Sequence, residues 1–358
     1  MAKLVKADKA GIISASKHIQ NDGVVIFPTE TVFGIGASAY SEEGIKNIYR
    51  IKNRPSNNPL IMHVTNMQMA ITFWSLNEDE KMIIDKLAIL WPGPLTILAK
   101  RNKTIPTISQ SEFVAIRCPD NKIAQELIYK SGCPIVAPSA NISGKTSSTS
   151  LEHVKHYFND EEEVIIIESE DNCDYGVEST IIKVDSNVVT IVRPGSILKE
   201  DIAEILKDTE ILTKVEYSQS DSPGSDISHY QIRADTKLFN FINESTISTQ
   251  SIFHEYTKGY LAESLLIDYG GINSCLSNYF KGYVDLSENS DPKEALYNLY
   301  NVLHQINDIR EIRNVLVFDF YSNKAGYYQV LYDRLYRCCS GKKILIPLPD
   351  VESIGSFE

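Results

Sequence analysis

Short apolar runs and segments with helical periodicity alternate along the chain. Residues 9–21 have apolar side chains at helical spacing, and Val24–Phe27 is an apolar run that ends at Pro28. The alternation continues to about residue 192 and resumes after about residue 251. This pattern predicts an α/β fold with a mixed sheet, followed by a second α/β unit.

The same pattern places the individual elements. Ser41 is expected to cap a helix, because its hydroxyl precedes a helical segment. Further strands are predicted at residues 60–64, 114–117, 134–137, 164–167, 179–184, 188–192, 251–253, 264–267 and 314–318, and helices at 78–90, 123–131, 151–158, 292–307 and 328–339.

A polar, serine-rich segment divides the chain. Between about residues 213 and 235 the apolar pattern stops, and Pro223 and Gly224 lie among several serines, a composition typical of a linker. We therefore expect a first domain at residues 1–212, a linker at 213–236 and a second domain at 237–358. A chain of 358 residues is long enough for two domains with a core each.

The charge balance limits the class of partner. The chain has 35 Lys and Arg against 47 Asp and Glu, a net charge of −12. Proteins that bind nucleic acid by counterion release are usually basic, so direct RNA binding is not expected and any role in RNA metabolism is expected to be indirect. A local basic face would still allow a non-catalytic RNA-binding module, and that alternative stays open.

The cysteines and the apolar segments favour a cytoplasmic protein. The six cysteines include no C-x-x-C pair, and residues 1–11 are polar, unlike a secretory leader. The longest apolar stretch, 87–99, is interrupted by Pro92, Gly93 and Pro94 and is too short to span a bilayer. We expect free thiols and no membrane segment.

Two motifs in the first third of the chain carry groups suited to binding. Hydroxylated residues, Thr29 and Thr31, follow a strand directly, at the place where open α/β sheets bind small polar ligands. Lys52 and Arg54 then precede Asn58, and cations in this arrangement suit a polyphosphate. The alternatives are a plain turn for the first motif and a solvated basic turn for the second.

A third motif resembles a phosphate-binding P-loop but departs from it. A predicted strand opens into residues 138–146, which end in Gly144-Lys145-Thr146. Ser139 occupies the position where the Walker motif requires its first glycine, so a P-loop nucleotidase is not expected. Zinc, triad and metalloprotease motifs are also missing from the sequence, and no metal ligands are assigned.

Eight motifs, taken in order, closely resemble the YrdC/Sua5 family of threonylcarbamoyl-AMP synthases. The resemblance covers about the first 200 residues; Ser222-Pro223-Gly224 with His229-Tyr230 resembles the linker of the longer Sua5 form, and Asp333-Arg334-Leu335 is a weaker match in the second domain. The motifs are Pro28-Thr29-Glu30-Thr31, Lys52-x-Arg54-Pro55, Asn58-Pro59-Leu60, Trp91-Pro92-Gly93-Pro94-Leu95-Thr96, Ala115-Ile116-Arg117, Ala137-Pro138-Ser139-Ala140-Asn141-x-Ser143-Gly144, Ser179-Thr180 and Arg193-Pro194-Gly195.

The resemblance implies a fold. It predicts a catalytic domain at residues 1–212 with a twisted open mixed sheet and a large concave cavity, a linker or lid at 213–236, and a smaller Rossmann-like domain at 237–358. In the linker, Ser225–Ser228 and Ile232 depart from the family pattern.

The resemblance also implies a reaction and its partners. L-threonine, bicarbonate or CO2, and ATP with Mg²⁺ would give threonylcarbamoyl-AMP and pyrophosphate, for use by the downstream tRNA threonylcarbamoyl-transfer machinery. Phosphate charge would be neutralised by Lys52 and Arg54. By motif match, threonine would be bound by Thr31, His63, Arg117, Ala137 and Ser179, and ATP by Arg54, Asn58, Ser139, Asn141, Ser147, Arg193 and Tyr230. A carbamoyl-transfer enzyme with the same core is a second alternative.

Overall fold

The computed structural model describes residues 1–102, 111–169, 173–207, 214–217, 229–242, 258–319 and 325–347. The chain folds as two compact units. The first contains Met1–Ser143 and Ser147–Ser225, and the second contains Gly144–Thr146 and Asp226–Glu358. No helix among these described ranges is long and apolar enough to cross a membrane.

The first unit is built on one mixed sheet. In the part of the chain described, the strand order is β1-β8-β2-β3-β7-β4-β6-β5-β9-β10-β11, with both parallel and antiparallel pairs. The strands are β1 (Lys3–Lys6), β2 (Val24–Phe27), β3 (Gly34–Ser38), β4 (Met62–His63), β5 (Leu95–Lys100), β6 (Phe113–Arg117), β7 (Ile135–Val136), β8 (Val164–Glu168), β9 (Thr180–Asp185), β10 (Val188–Arg193) and β11 (Lys214–Tyr217).

Six of the seven described helices of this unit begin at a polar side chain that caps them, and the seventh has Leu198 at its N-cap. Ser41 accepts a hydrogen bond from the amide of Gly44, as predicted, and Asn77 and Glu80 form a reciprocal capping box. The helices are α1 (Lys9–Gln20), α2 (Glu42–Lys52), α3 (Met67–Ile71), α4 (Glu78–Leu87), α5 (Lys122–Ser131), α6 (Leu151–Phe158) and α7 (Lys199–Leu206).

Strand β3 is not predicted by the sequence pattern. Four of its five residues, Gly34–Ser38, are Gly, Ala or Ser, and the pattern there indicates only a turn. The strand forms because glycine allows close packing: a Cβ on Gly36 would lie 2.6 Å from a methyl group of Ile135. Strand β5 is missed for another reason, because the prolines just before it obscure the alternation that follows.

The second unit is a smaller α/β structure with an all-parallel sheet. Within its described residues the strand order is β14-β13-β15-β12-β16. This confirms the predicted smaller α/β domain, and its sheet is parallel. The predicted strand at residues 251–253 lies outside the described residues. The elements are β12 (Asp235–Ile242), β13 (Ser264–Asp268), β14 (Gly282–Asp285), α8 (Pro292–Asp308), β15 (Asn314–Phe318), α9 (Tyr327–Cys338) and β16 (Lys343–Pro347).

The predicted linker at 213–236 contains regular structure at both ends. Lys214–Tyr217 is strand β11, which pairs with β10, and Asp235 begins strand β12. Backbone hydrogen bonds to a neighbouring strand make a strand of the short segment at 214–217, although its composition is polar. The change of unit after Ser225 falls between these two strands, and residues 218–228 lie outside the described ranges.

Candidate active site

Polar side chains meet at one edge of the first sheet. Strands β4 and β6 end there, at His63 and Arg117, and β5 begins there with Thr96 as its second residue. His63 pairs with Arg117 and Arg117 pairs with Thr96, so the three side chains lie on the same face of neighbouring strands. All three are buried. The sheet therefore presents a continuous polar row at this edge.

Arg117 joins this row to the turn after β2. Its Nη1 donates to the hydroxyl of Thr31 at 2.8 Å, and Thr31 in turn lies 2.9 Å from the hydroxyl of Thr29. Arg117 Nη2 also lies 2.7 Å from the carboxylate of Glu30. The fold thus brings together Thr31 and Arg117, which are far apart in the sequence, and their role in binding threonine stays a prediction.

His63 is a neutral imidazole in this site. Burial, and next the nearby Arg117 guanidinium, lower the pKa of His63 to about 3. Its Nδ1 lies 3.2 Å from the carbonyl oxygen of Ile61, and the amide of Ala137 donates to that same carbonyl at 2.9 Å. The predicted pair His63 and Ala137 therefore share one backbone acceptor, and the ring contributes polarity without charge.

Ser179 connects the row to strand β10. The hydroxyls of Thr96 and Ser179 are 2.7 Å apart. Arg193, the last residue of β10, donates from Nη2 to the carbonyl oxygen of Ser179 at 2.8 Å and to its hydroxyl at 3.0 Å. Gly195 makes this approach possible, because a Cβ there would lie 2.7 Å from the carbonyl carbon of Ser179.

A second cluster lies after helix α2. The left-handed Asn53 ends the helix and turns the chain, and Arg54 follows it. Arg54 Nη2 donates to Asn58 Oδ1 at 2.6 Å and to the carbonyl oxygen of Pro59 at 2.9 Å. The two predicted ATP-binding residues Arg54 and Asn58 are therefore in direct contact.

Lys52 organises the loop after β7. Its ammonium group donates to the carbonyl oxygen of Ser139 at 2.6 Å and to that of Asn141, and its own carbonyl accepts from the amide of Ser143. The hydroxyl of Ser139 donates to Asn141 Oδ1 at 2.6 Å. Burial, and next Arg54, lower the pKa of Lys52 well below its usual range. Lys52 thus fixes the loop that carries two predicted ATP ligands.

Ser147, at the end of that loop, contacts the motif that contains Ser179. Its hydroxyl donates to Glu178 Oε1 at 2.6 Å. Glu178 is 6% exposed and Ser147 is fully buried, so this is an interior hydrogen bond to a carboxylate. The loop and the polar row consequently share the short segment Glu178–Ser179.

Tyr230 belongs to the second unit. Its ring is 1% exposed and stacks on Tyr300 with 5.1 Å between centroids, and the guanidinium of Arg334 lies over it at 5.5 Å. Its carbonyl accepts a hydrogen bond from Thr146, which also belongs to the second unit. The predicted contact of Tyr230 with ATP stays a prediction.

Several residues that contact the predicted binding residues are not singled out by the sequence. Glu30 precedes Thr31 and contacts Arg117, Thr96 lies beside Ser179, and Glu178 accepts a hydrogen bond from Ser147. Each lies in or next to a motif already recognised, so the signal is proximity along the chain. Cross-strand neighbours, however, cannot be read from one sequence.

The arrangement has two chemical parts. One is a buried row of hydroxyls with a guanidinium and a neutral imidazole, suited to a small polar molecule. The other combines two cations with amide and hydroxyl groups on a fixed loop, suited to phosphates. Among the residues described, no group of three or more His, Cys, Asp or Glu side chains is placed to hold a metal ion.

Two family models match the chain in succession. The Sua5/YciO/YrdC model, described as telomere recombination, matches residues 17–195. The model described as the C-terminal domain of threonylcarbamoyl-AMP synthase matches residues 197–340. Together the two matches span both structural units.

Curated relatives agree with the family models. A threonylcarbamoyl-AMP synthase from Bacillus subtilis is 36% identical over 255 residues, which is 69% of this chain and 71% of that protein. One from Pyrococcus abyssi is 37% identical over 222 residues, 60% of this chain and 64% of that protein, so the match spans less than two thirds of its length.

A solved structure is similar over nearly the whole chain. The crystal structure of P. abyssi Sua5 complexed with L-threonine has a TM-score of 0.77 and 26% identity, and the match covers 97% of this chain and 99% of that one. The similarity therefore includes both the mixed sheet and the smaller parallel sheet.

Proposed function

The chain belongs to the Sua5/YrdC family of threonylcarbamoyl-AMP synthases, and from that premise we propose how its own residues make the product. The reaction joins L-threonine, bicarbonate and ATP into threonylcarbamoyl-AMP with release of pyrophosphate, and the product serves a modification of tRNA. The observation that carries the assignment is that Ser179 is hydrogen-bonded by both Thr96 and Arg193. The residues proposed for threonine and for ATP meet there.

The polar row would hold threonine. Arg117 and Thr31 are already joined at 2.8 Å, and the neutral His63 lies beside them. A buried site with fixed polar groups penalises an analogue that leaves those groups without partners. We propose that Thr31, His63, Arg117 and Ser179, with the backbone at Ala137, bind the amino acid on this basis.

The second cluster would hold ATP. Arg54 and Asn58 are preorganised by their mutual hydrogen bond, and Ser139 and Asn141 by theirs. Lys52 holds the loop and adds a positive charge next to it, while Arg193 adds a guanidinium at the sheet edge. Preorganised donors cost little reorganisation when phosphate charge develops during the reaction.

The chemistry requires positioning more than a protein nucleophile. Bicarbonate takes up a proton and loses water to give CO2, and the neutral threonine amine adds to CO2 to give a carbamate and a proton. A carbamate oxygen then attacks the α-phosphorus of ATP and displaces pyrophosphate. Such phosphoryl chemistry is accelerated by alignment and by charge neutralisation. The burial of His63, Thr96 and Ser179 also keeps water away from two labile species, the carbamate and the mixed anhydride.

Magnesium enters this proposal as the counter-ion of ATP. The residues described do not form a carboxylate cage for a resident ion, and we propose that Mg²⁺ binds with the phosphates of the nucleotide. Five further points also stay proposals that rest on the family resemblance. They are the concave cavity, the cytoplasmic location, the lid role of residues 213–236, the ATP contact of Tyr230 and the transfer machinery that consumes the product.

The test is product analysis of the purified chain incubated with ATP, bicarbonate and L-threonine. We expect a threonine-dependent mass for threonylcarbamoyl-AMP and an equal amount of pyrophosphate. L-serine is the matched control and should be turned over at least about tenfold less efficiently, because it lacks the methyl group that a shaped pocket recognises. Release of phosphate in place of pyrophosphate, or equal turnover of serine, would contradict the assignment.

A further inference from the structure

Glu30 is a buried carboxylate whose acceptors are unused. It is 2% exposed, and neither of its oxygens has an aligned hydrogen bond to any residue that the structure describes. The Arg117 guanidinium lies 2.7 Å from Oε1, but the contact lacks the alignment of a hydrogen bond. Buried charges in proteins are normally both paired and hydrogen-bonded. Glu30 is therefore a group that still requires a donor.

Arg117 has a donor nitrogen that lacks an aligned acceptor among the described residues. Its Nη1 donates to Thr31 and its Nε lies 3.4 Å from the carbonyl oxygen of Gly93, so two of its nitrogens are engaged. Nη2, which faces Glu30, has no aligned acceptor among the described residues. The pair thus presents an unused anionic acceptor beside an unused cationic donor, and both are buried.

Within the described ranges, the side chains around Glu30 do not supply the missing donor. Burial, and next the Glu30 charge, raise the pKa of the nearby Cys173 thiol, which keeps that group protonated. A thiol is only a weak hydrogen-bond donor. The carboxylate therefore sits beside a weak donor and a misaligned guanidinium, next to Thr31 of the threonine site.

We propose that Glu30 binds the ammonium group of the substrate amino acid. An ammonium group has three N–H donors and a positive charge, so it can supply the aligned donor that Glu30 lacks among the described residues and add to the charge of the nearby Arg117. The carboxylate of the same zwitterion would face the unused Nη2 of Arg117. The inference rests on the proposed function, which it deepens by naming the residue that selects an α-amino acid over a hydroxy acid.

The test compares L-threonine with (2S,3R)-2,3-dihydroxybutyrate, in which a hydroxyl replaces the ammonium group. Binding to the full chain is measured by calorimetry. The wild type should bind threonine at least about tenfold more tightly than the hydroxy acid. Glu30→Gln should lose at least about tenfold in affinity for threonine, while its affinity for the hydroxy acid changes less than about threefold.

Two further measurements keep this test decisive. Thermal unfolding checks that Glu30→Gln is folded; if it is not, Glu30→Asp, which keeps the charge but retracts it by one methylene, should still weaken threonine selectively. Equal losses for both ligands, or no loss for threonine, would overturn the proposal and leave Glu30 as a structural partner of Arg117. Failure of the wild type to release pyrophosphate with threonine would instead contradict the proposed function.

Discussion

Arg193 donates hydrogen bonds to two different oxygens of Ser179, the carbonyl at 2.8 Å and the hydroxyl at 3.0 Å. The contact ties the last residue of β10 to the residue before β9, and it directs the Ser179 hydroxyl toward Thr96. A substitution at a residue proposed to bind one substrate should consequently also lower kcat/KM for the other substrate.

Replacement of Arg193 should test that coupling. Arg193→Lys keeps a positive charge but loses the two-oxygen contact, so we expect kcat/KM to fall at least about tenfold for ATP and also for threonine. Arg50→Lys is the control, because Arg50 makes an exposed ion pair with Glu163 and should leave both values within about twofold. A selective loss for ATP alone would show that Ser179 does not couple the sites.

Gly195→Ala should disturb the same site by steric means. The added methyl group would lie 2.4 Å from the amide nitrogen of Thr180, which requires the backbone to shift. We expect a loss of about 1–3 kcal/mol in the free energy of unfolding and a higher KM for threonine. Gly259→Ala is the matched control, since its Cβ would meet nothing within 4 Å. Equal stability of the two variants would contradict the close packing described.

Lys52→Met should release the loop that Lys52 holds. The carbonyl groups of Ser139 and Asn141 lose their buried donor, so hydrogen exchange at the amides of residues 139–147 should accelerate at least about tenfold. ATP turnover should fall with it. Lys46→Met, on the exposed side of the same helix, is the control. If exchange is unchanged but turnover is lost, Lys52 acts through its charge alone.

Arg54 and Asn58 should behave as one unit. The single substitutions Arg54→Ala and Asn58→Ala should each raise the KM for ATP at least about tenfold, because the remaining partner loses its fixed geometry. The double variant should lose little more than either single one, which a double-mutant cycle measures as strong coupling. Additive losses would mean that the two residues contact different parts of the nucleotide independently.

His63 should make the protein sensitive to acid. Its pKa is about 3 in the folded protein and about 6.5 when exposed, so between these values the unfolded chain binds one more proton. The free energy of unfolding should therefore fall by up to about 1.4 kcal/mol per pH unit as the pH drops below 6.5. His63→Asn should lack this component, while the two proteins should keep a constant difference in stability above about pH 7.5. Parallel curves below about pH 6 would contradict the neutral state of His63.

Sequence reasoning predicts the elements with clear periodicity and misses those decided by tertiary contacts. Leu151–Phe158 and Val24–Phe27 are predicted at their observed bounds, because apolar spacing and flanking residues mark both. Gly34–Ser38 is a strand only through close packing against Ile135. Such packing depends on residues far away along the chain, which one sequence does not reveal.

The site shows the same division. The motifs name Arg117 and Thr31 separately, and the fold brings them together because β6 ends beside the turn after β2. Thr96 belongs to a recognised motif but has no role assigned from the sequence, since its contact with Ser179 depends on the pairing of β5 with β9. The sequence shows the residue types, whereas the contacts between them can be known only once the order of the strands in the sheet is known.

The strand order also constrains how the protein is made. Strand β1 is synthesised well before its partner β8, so Leu4 cannot pair with Ile166 until that residue has left the ribosome. Long-range pairing of this kind is slow and leaves strands exposed in the meantime. During translation the nascent β1 strand therefore has no partner strand to pair with until Ile166 has been synthesised.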